Sequence, residues 1–141
     1  VTSLLRTEET GKMASKTSKY AEVRTKLVAL QRGLAKKTDV IMDGRDIGTT
    51  VLPDAFAKIY LTASSDARAK RRYDELKEKG ENCSFDAIKE DIEKRDYEDM
   101  HRAISPLKQA DEAVLVDTSD MNIEQVVAAL SKIIDEKKAG R

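Results

Sequence analysis

The segment Asp43-Gly44-Arg45-Asp46-Ile47-Gly48-Thr49 brings two aspartates, one arginine and two glycines together directly after the apolar run 39–42. If that run is a parallel strand, these residues lie at its carboxyl end, where ligands bind in parallel α/β sheets. Arg45 is suited to hold a phosphate with two hydrogen bonds. An aspartate there can accept from an amino group or support a magnesium ion through water. A tight turn with a local Asp–Arg pair accounts for the same residues, so both interpretations stay open.

A second group of charged residues consists of Arg95, Asp99 and Arg102. Their spacing of i, i+4 and i+7 predicts that all three project from one face of a helix. Ile88 and Ile92 continue that stripe toward the start of the helix. An apolar stripe that ends in Arg-Asp-Arg indicates a helix that packs at one end and lines a polar cleft at the other. The alternative is a solvated face with one ion pair, worth a few tenths of a kcal/mol.

Three arginines, Arg68, Arg71 and Arg72, fall within one and a half turns of another predicted helix. Guanidinium groups this close repel one another unless an anion lies between them, and a polyphosphate would satisfy them. Acidic residues further along the same helix can neutralise them instead. The sequence favours neither explanation.

The periodicity predicts the elements that must position these side chains. Helical spacing covers 20–37, a capped helix runs from Ser64 or Ser65 to about residue 79 with Gly80 as its stop, and Ser84 caps a helix over 85–101. Asn122 and Gln125 predict a capping box before the last helix. Short apolar runs at 39–42, 58–63 and 113–116 predict strands, whereas 1–19 is polar with little periodicity. Strands that alternate with amphipathic helices indicate an α/β fold with a mostly parallel sheet.

Composition excludes several classes of protein. The 141 residues carry 26 basic and 26 acidic side chains, so the net charge of zero argues against a nucleic-acid or membrane-surface binder that acts through bulk charge. Cys83 is the single cysteine and His101 the single histidine, which argues against an intrachain disulfide and a zinc site. No apolar run approaches the roughly 20 residues of a membrane span. We expect a cytoplasmic chain and, because it begins at Val1, part of a larger protein.

Taken together, the motifs resemble the bacterial cytidylate kinases, a family of P-loop nucleoside monophosphate kinases. The resemblance covers nearly the whole chain and rests on Met13-Ala14-Ser15, Val23-Arg24, Gln31-Arg32, the segment 43–49, Pro53-Asp54-Ala55, Lys58–Ser64, Arg68–Arg72, Arg95-Asp96 with Asp99 and Arg102, Ser105-Pro106-Leu107 and Asp117-Thr118. It implies one domain over 1–141 with a three-layer α/β/α core and a parallel sheet. Within it, 1–38 belongs to the monophosphate-binding region and the following helix, 39–65 to the core strands, 66–95 to the lid and 96–141 to the core.

The resemblance also implies an activity, the transfer of the γ-phosphoryl group of ATP to CMP or dCMP with Mg²⁺. By similarity, side chains surround the sugar (Ser15, Arg95, Asp99), the cytosine (Arg24, Asp46, Arg102) and the CMP phosphate (Arg45). The lid would bring Arg71, with Arg68 and Arg72, to the ATP phosphates. Arg45 and Arg71 would be the catalytic arginines, and Asp43 would support the magnesium shell.

The family's glycine-rich phosphate loop with its lysine has no counterpart in the chain, since Gly11-Lys12-Met13 lacks the required residues on either side. We therefore expect a C-terminal portion of such an enzyme, and we expect this portion to be inactive by itself. The parent enzyme is expected to be a monomer. In the family's sheet the first strand, which precedes the phosphate loop, is central. Its loss would expose the edges of the strands at 39–42 and 58–63, and exposed strand edges favour self-association. The alternatives are a non-catalytic nucleotide-binding remnant, which would bind CMP, and a charged helical interaction module, which would not.

Overall fold

The computed structural model describes residues 7–140, which form five α-helices, one π-helical turn and two strands. In chain order these are α1 (Glu8–Thr17), α2 (Ala21–Ala35), the π-turn (Ile47–Val51), β1 (Ile59–Thr62), α3 (Ser65–Glu78), α4 (Phe85–His101), β2 (Val114–Asp117) and α5 (Ile123–Ala139). The π-turn lies within the Gly- and Asp-rich segment that the sequence analysis singled out.

The sheet consists of β1 and β2, which pair in parallel with Ile59 opposite Val114 and Thr62 opposite Asp117. Helices α3 and α4 form the crossover between the two strands and pack against each other. The ladder extends past the last strand residue, because the Thr118 amide donates to the Thr62 carbonyl at 2.8 Å. The mixed α/β class and the parallel pairing predicted from the sequence are confirmed.

One sequence prediction about local structure is wrong, and one helix lies where the sequence predicted no element. The run 39–42 forms no strand, and Ile41 within it is 99% exposed. A strand requires a neighbour to take up its hydrogen bonds, and no described residue pairs with this run. Conversely, the polar segment before residue 20 contains α1, which Thr7 caps by accepting from the Thr10 amide at 3.3 Å. Because most side chains of α1 are exposed, the segment has little of the apolar periodicity that predicts a helix from sequence.

The predicted helix caps are confirmed. Ser64 and Ser84 each accept from the backbone amide three residues further on, at 3.1 and 3.5 Å. Asn122 and Gln125 form the capping box, with both of its hydrogen bonds at 2.9 Å. These short polar residues fix where α3, α4 and α5 begin, independently of the core.

The buried apolar core is small. Its buried apolar members within 7–140 are Val51, Ala63, Ala69, Leu76 and Val116. Parallel sheets are normally covered on both faces, yet Leu61 of β1 and Leu115 of β2 are 53% and 55% exposed. Exposed apolar side chains of this kind are the physical basis for self-association, which stays a prediction.

Gly80 ends α3 with a left-handed backbone, at φ +75°. Its amide donates to the Lys77 carbonyl at 3.0 Å and the Glu81 amide to the Leu76 carbonyl at 2.9 Å, the two bonds of a Schellman motif. We expect Gly80→Ala to lower the free energy of unfolding by about 1 kcal/mol, because a side chain is strained at this φ. Urea unfolding followed by circular dichroism measures the change.

The matched control is Gly33→Ala in the interior of α2, where an added methyl group meets nothing within 4 Å. Alanine gains about 0.5–1 kcal/mol over glycine in a helix, so the same substitution should stabilise there. Shifts of the urea midpoint in the same direction for both variants would contradict the role assigned to Gly80.

Candidate functional site

Five charged side chains from distant parts of the chain meet in one partly buried group. We call it the Arg–Asp cluster, and its members are Arg24, Arg45, Asp46, Asp99 and Arg102. Arg24 comes from α2, Asp99 from α4, and Arg45 and Asp46 from the segment before the π-turn. The structure thereby brings together residues that the sequence placed in three separate motifs.

Arg24 and Asp46 form the more enclosed part of the cluster. The Arg24 Nη2 donates to Asp46 Oδ2, and the two side chains are only 11% and 12% exposed. A second guanidinium nitrogen, Nη1, donates to the Ser18 carbonyl at 3.4 Å. A guanidinium is tolerated at such depth because a carboxylate and a carbonyl replace its water.

Asp99 links the two remaining arginines. Its Oδ2 accepts from Arg45 Nε at 3.2 Å and its Oδ1 from Arg102 Nη1 at 3.4 Å. Arg102 also donates through Nε to the Ser105 carbonyl at 2.7 Å. Ser105 has a left-handed φ of 47°, which is costly for a residue with a side chain. The Leu107 amide then returns to the Asp99 carbonyl at 2.8 Å, so the chain after α4 wraps around Arg102.

The positive charges in the cluster outnumber the negative charges. Three guanidinium groups face two carboxylates, which leaves one positive charge in excess. Burial lowers the pKa of Arg102, and the nearby charge of Arg24 lowers it further, against the opposing effect of Asp99. Two buried donors, Arg24 Nε and Arg102 Nη2, have no hydrogen-bond partner among the described residues. Buried donors without partners are rare, so the site is suited to an anionic ligand that carries hydrogen-bond acceptors.

The π-turn fixes the backbone at Asp46. The Asp46 carbonyl accepts from the Thr50 amide at 2.8 Å and from the Val51 amide at 3.1 Å. π-Helical turns are rare and frequently occur at functional sites. Arg45 pairs with Asp99 of α4, so the local Asp–Arg pair considered from the sequence is not the pairing that forms.

Gly44 allows the close packing that precedes this turn. A methyl group added at Gly44 would lie 3.0 Å from the Ile47 side chain. This distance is tighter than ordinary van der Waals contact, so a side chain here would displace Ile47.

The remaining residues predicted for the same site are placed differently. Arg95 is exposed on α4, one turn before Asp99, and has no hydrogen-bond partner within 7–140. Asp43 is exposed ahead of the π-turn, and the Ser15 side chain lies outside the described part of the structure. Arg102 does not share a helical face with Arg95 and Asp99 as predicted, because α4 ends at His101 and Arg102 has extended ψ 144°. Arg102 instead donates through Nε to the Ser105 carbonyl in the chain that follows the helix.

The arginines of α3 each have a partner within the protein. Arg68 forms a bidentate pair with Asp96 of α4 at 3.0 and 2.5 Å, and this hydrogen bond raises the pKa of Arg68. Arg71 donates to the Thr118 carbonyl beyond β2. Arg72 pairs with Glu75, one of the acidic neighbours on the same helix. Partners on α4 and beyond β2 are distant in sequence, and spacing alone did not reveal them.

Within residues 7–140 no group of three His, Cys, Asp or Glu side chains is placed to hold a metal ion. The helices described in the structure include none long and apolar enough to cross a membrane.

Comparison with known proteins identifies the family. The sequence profile described as Cytidylate kinase matches residues 1–136. A protein named Cytidylate kinase from Lactobacillus johnsonii is 52% identical over 134 residues, which are 95% of this chain and 58% of the relative. Two others of that name, from Enterococcus faecalis and Carboxydothermus hydrogenoformans, are each 47% identical over 97% of this chain and 61% and 62% of their own lengths. The chain belongs to the cytidylate kinase family, and it spans about three fifths of the length of these curated relatives.

Proposed function

We propose that the Arg–Asp cluster is the CMP-binding site of a cytidylate kinase, which transfers the γ-phosphoryl group of ATP to CMP or dCMP. The observation that carries this proposal is the pair of buried donors without partners, Arg24 Nε and Arg102 Nη2, in a cluster with excess positive charge. A nucleoside monophosphate supplies base acceptors and a phosphate, so it would satisfy both the donors and the charge.

The chemistry of the cluster favours a cytosine base. Cytosine has an exocyclic amino group beside a ring nitrogen and a carbonyl oxygen, so one edge carries a donor next to two acceptors. Arg24 and Arg102 provide donors for the acceptors, and Asp46 provides a carboxylate acceptor for the amino group. A site built for such hydrogen bonds rejects bases that leave its buried polar groups unpaired.

The other substrate contacts follow from the family resemblance. Asp99, with Arg95 and Ser15, would hold the sugar, and the exposed guanidinium of Arg45 would contact the CMP phosphate. Arg45 is 44% exposed while its Nε is held by Asp99, so its two Nη groups remain available to a phosphate. Phosphoryl transfer depends mainly on positioning and on positive charge around the transferred group, which is the role proposed for Arg45.

At the ATP phosphates we propose Arg71, assisted by Arg68 and Arg72. Each of them now donates to a protein acceptor. Contact with ATP would therefore exchange these acceptors for phosphate oxygens. Arg72 has the partner most easily exchanged, because its ion pair with Glu75 lies on the exposed side of α3.

A magnesium ion would accompany ATP. Mg²⁺ usually keeps several waters and takes one or two carboxylates together with substrate phosphates. A single exposed carboxylate fits that pattern, so we propose that Asp43 supports the ion through water. The ion would neutralise charge on the phosphate oxygens. The chain's own part is to orient CMP through the Arg–Asp cluster.

A polypeptide of these 141 residues alone should have negligible turnover, because no stretch of it matches the phosphate loop that cradles ATP. A coupled assay that detects CMP-dependent ADP formation by this polypeptide would overturn that expectation.

Substrate binding is tested separately by NMR. CMP should shift the amide signals of Gly44 and Gly48, which flank Arg45 and Asp46, and AMP should not. Shifts without turnover would also fit a non-catalytic nucleotide-binding remnant. A charged interaction module would show no shift with either nucleotide.

A further inference from the structure

Arg32 makes the contact that closes the far end of the π-turn. Its Nε donates to the Val51 carbonyl at 2.9 Å and its Nη2 to the Thr50 carbonyl at 2.6 Å. The last carbonyls of a helical turn lack partners within the turn, and both of these accept from one guanidinium. Val51 is also the most deeply buried large side chain described, at 2% exposure.

Helix α2 therefore holds the segment 46–51 at both ends. Arg24 pairs with Asp46 at the start, and Arg32 binds the two carbonyls at the end. The two arginines are eight residues apart, a spacing that places them on the same side of a helix. Because the Val51 amide donates back to the Asp46 carbonyl at 3.1 Å, a displacement at Val51 is transmitted to the backbone of Asp46.

We propose that Arg32 is a positioning residue for the CMP-binding site: it holds the π-turn so that Arg45 and Asp46 keep their places in the Arg–Asp cluster. The inference rests on the proposed function for its effect on CMP, but its effect on the turn is independent of any ligand. Arg32 forms no hydrogen bond or ion pair with a member of the cluster, so it acts through the backbone of the turn.

The first test is hydrogen exchange of the chain without nucleotide. Arg32→Ala should speed exchange at the Thr50 and Val51 amides roughly tenfold, since two charge-assisted hydrogen bonds that hold the turn are lost. Exchange in β1 should not change. Unchanged exchange at Thr50 and Val51 would overturn the proposal, whether or not the chain binds CMP.

The second test is CMP affinity across three substitutions. Arg32→Ala should weaken CMP binding roughly tenfold. Arg32→Lys keeps the charge but not the planar fork, and Arg32→Gln keeps a donor but not the charge. If Arg32 positions the turn, both variants should have exchange rates and CMP affinities between those of wild type and Arg32→Ala. The order of the variants should be the same for the two quantities.

A direct effect of charge on the ligand gives a different pattern. The CMP affinity of Arg32→Lys would then match that of wild type, and the affinity of Arg32→Gln would match that of Arg32→Ala. Amide exchange would be unaltered in all three variants. This pattern would overturn the proposal. Lys26→Ala, which removes another exposed cation from α2, is the control and should change neither quantity. If wild type binds no CMP, the proposed function fails, and the exchange experiment still decides the role of Arg32.

Discussion

Asp99→Asn is expected to lower the free energy of unfolding by about 3 kcal/mol, the cost of removing one partner from a buried ion pair. Asp99 is 7% exposed, and its two oxygens accept from Arg45 and Arg102. Asparagine keeps the shape but removes the charge, so the excess in the Arg–Asp cluster grows from one positive charge to two. Urea unfolding at neutral pH measures the loss.

The control is the preceding residue, Glu98→Gln. Glu98 is also acidic and also paired, with Lys19 at 3.2 Å, but both of these side chains are largely exposed. Exposed pairs contribute at most about 1 kcal/mol, so this variant should unfold close to wild type. Equal urea midpoints for Asp99→Asn and Glu98→Gln would contradict the structural role given to the cluster.

Arg102→Met should weaken CMP binding strongly and change stability little, whereas Asp99→Asn is expected to lower stability. It removes the excess charge, which relieves the repulsion with Arg24 and offsets the lost hydrogen bonds to Asp99 and to the Ser105 carbonyl. Stability should therefore change by less than about 1 kcal/mol. CMP affinity should fall roughly 10- to 100-fold, because the ligand loses a charged hydrogen-bond donor. Calorimetric titration and urea unfolding of the same sample separate the two quantities.

Lys94→Met on α4 is the control for this variant, since Lys94 is an exposed cation with no hydrogen-bond partner within the described range. It should bind CMP as wild type does. If Arg102→Met bound CMP with unchanged affinity, Arg102 would not belong to the binding site. If it destabilised the chain as much as Asp99→Asn, the excess-charge argument would be wrong.

Local signals in the sequence predicted much of the fold. Ser64, Ser84 and the Asn122–Gln125 box mark helix starts through hydrogen bonds that span three residues, so nothing distant is needed to find them. The segment 39–42 shows the limit of such signals. Its apolar residues suit a strand, but strand formation depends on a neighbour, which periodicity within the segment cannot report.

The five residues of the Arg–Asp cluster were all named from the sequence, but their mutual contacts were not predicted. Residue type and spacing singled out Asp46 and Arg102, and the family resemblance added Arg24, whereas the carbonyl partners at Ser18 and Ser105 leave no trace in residue type. Arg32 was noted only as part of a motif without a role. The sequence signal for Arg32 is its spacing of eight residues from Arg24, which places both arginines on the same side of α2. This spacing indicates a role only when the structure shows the π-turn lying between their two contacts.

The most direct test of the central claim, that this chain carries a CMP-selective site, is calorimetric titration of the 141-residue polypeptide with CMP and, in parallel, AMP. Saturable binding of CMP is expected, with AMP at least about tenfold weaker because it lacks cytosine's carbonyl acceptor. Absence of CMP binding by a chain whose circular dichroism is still helical would contradict the claim, as would equal affinity for the two nucleotides.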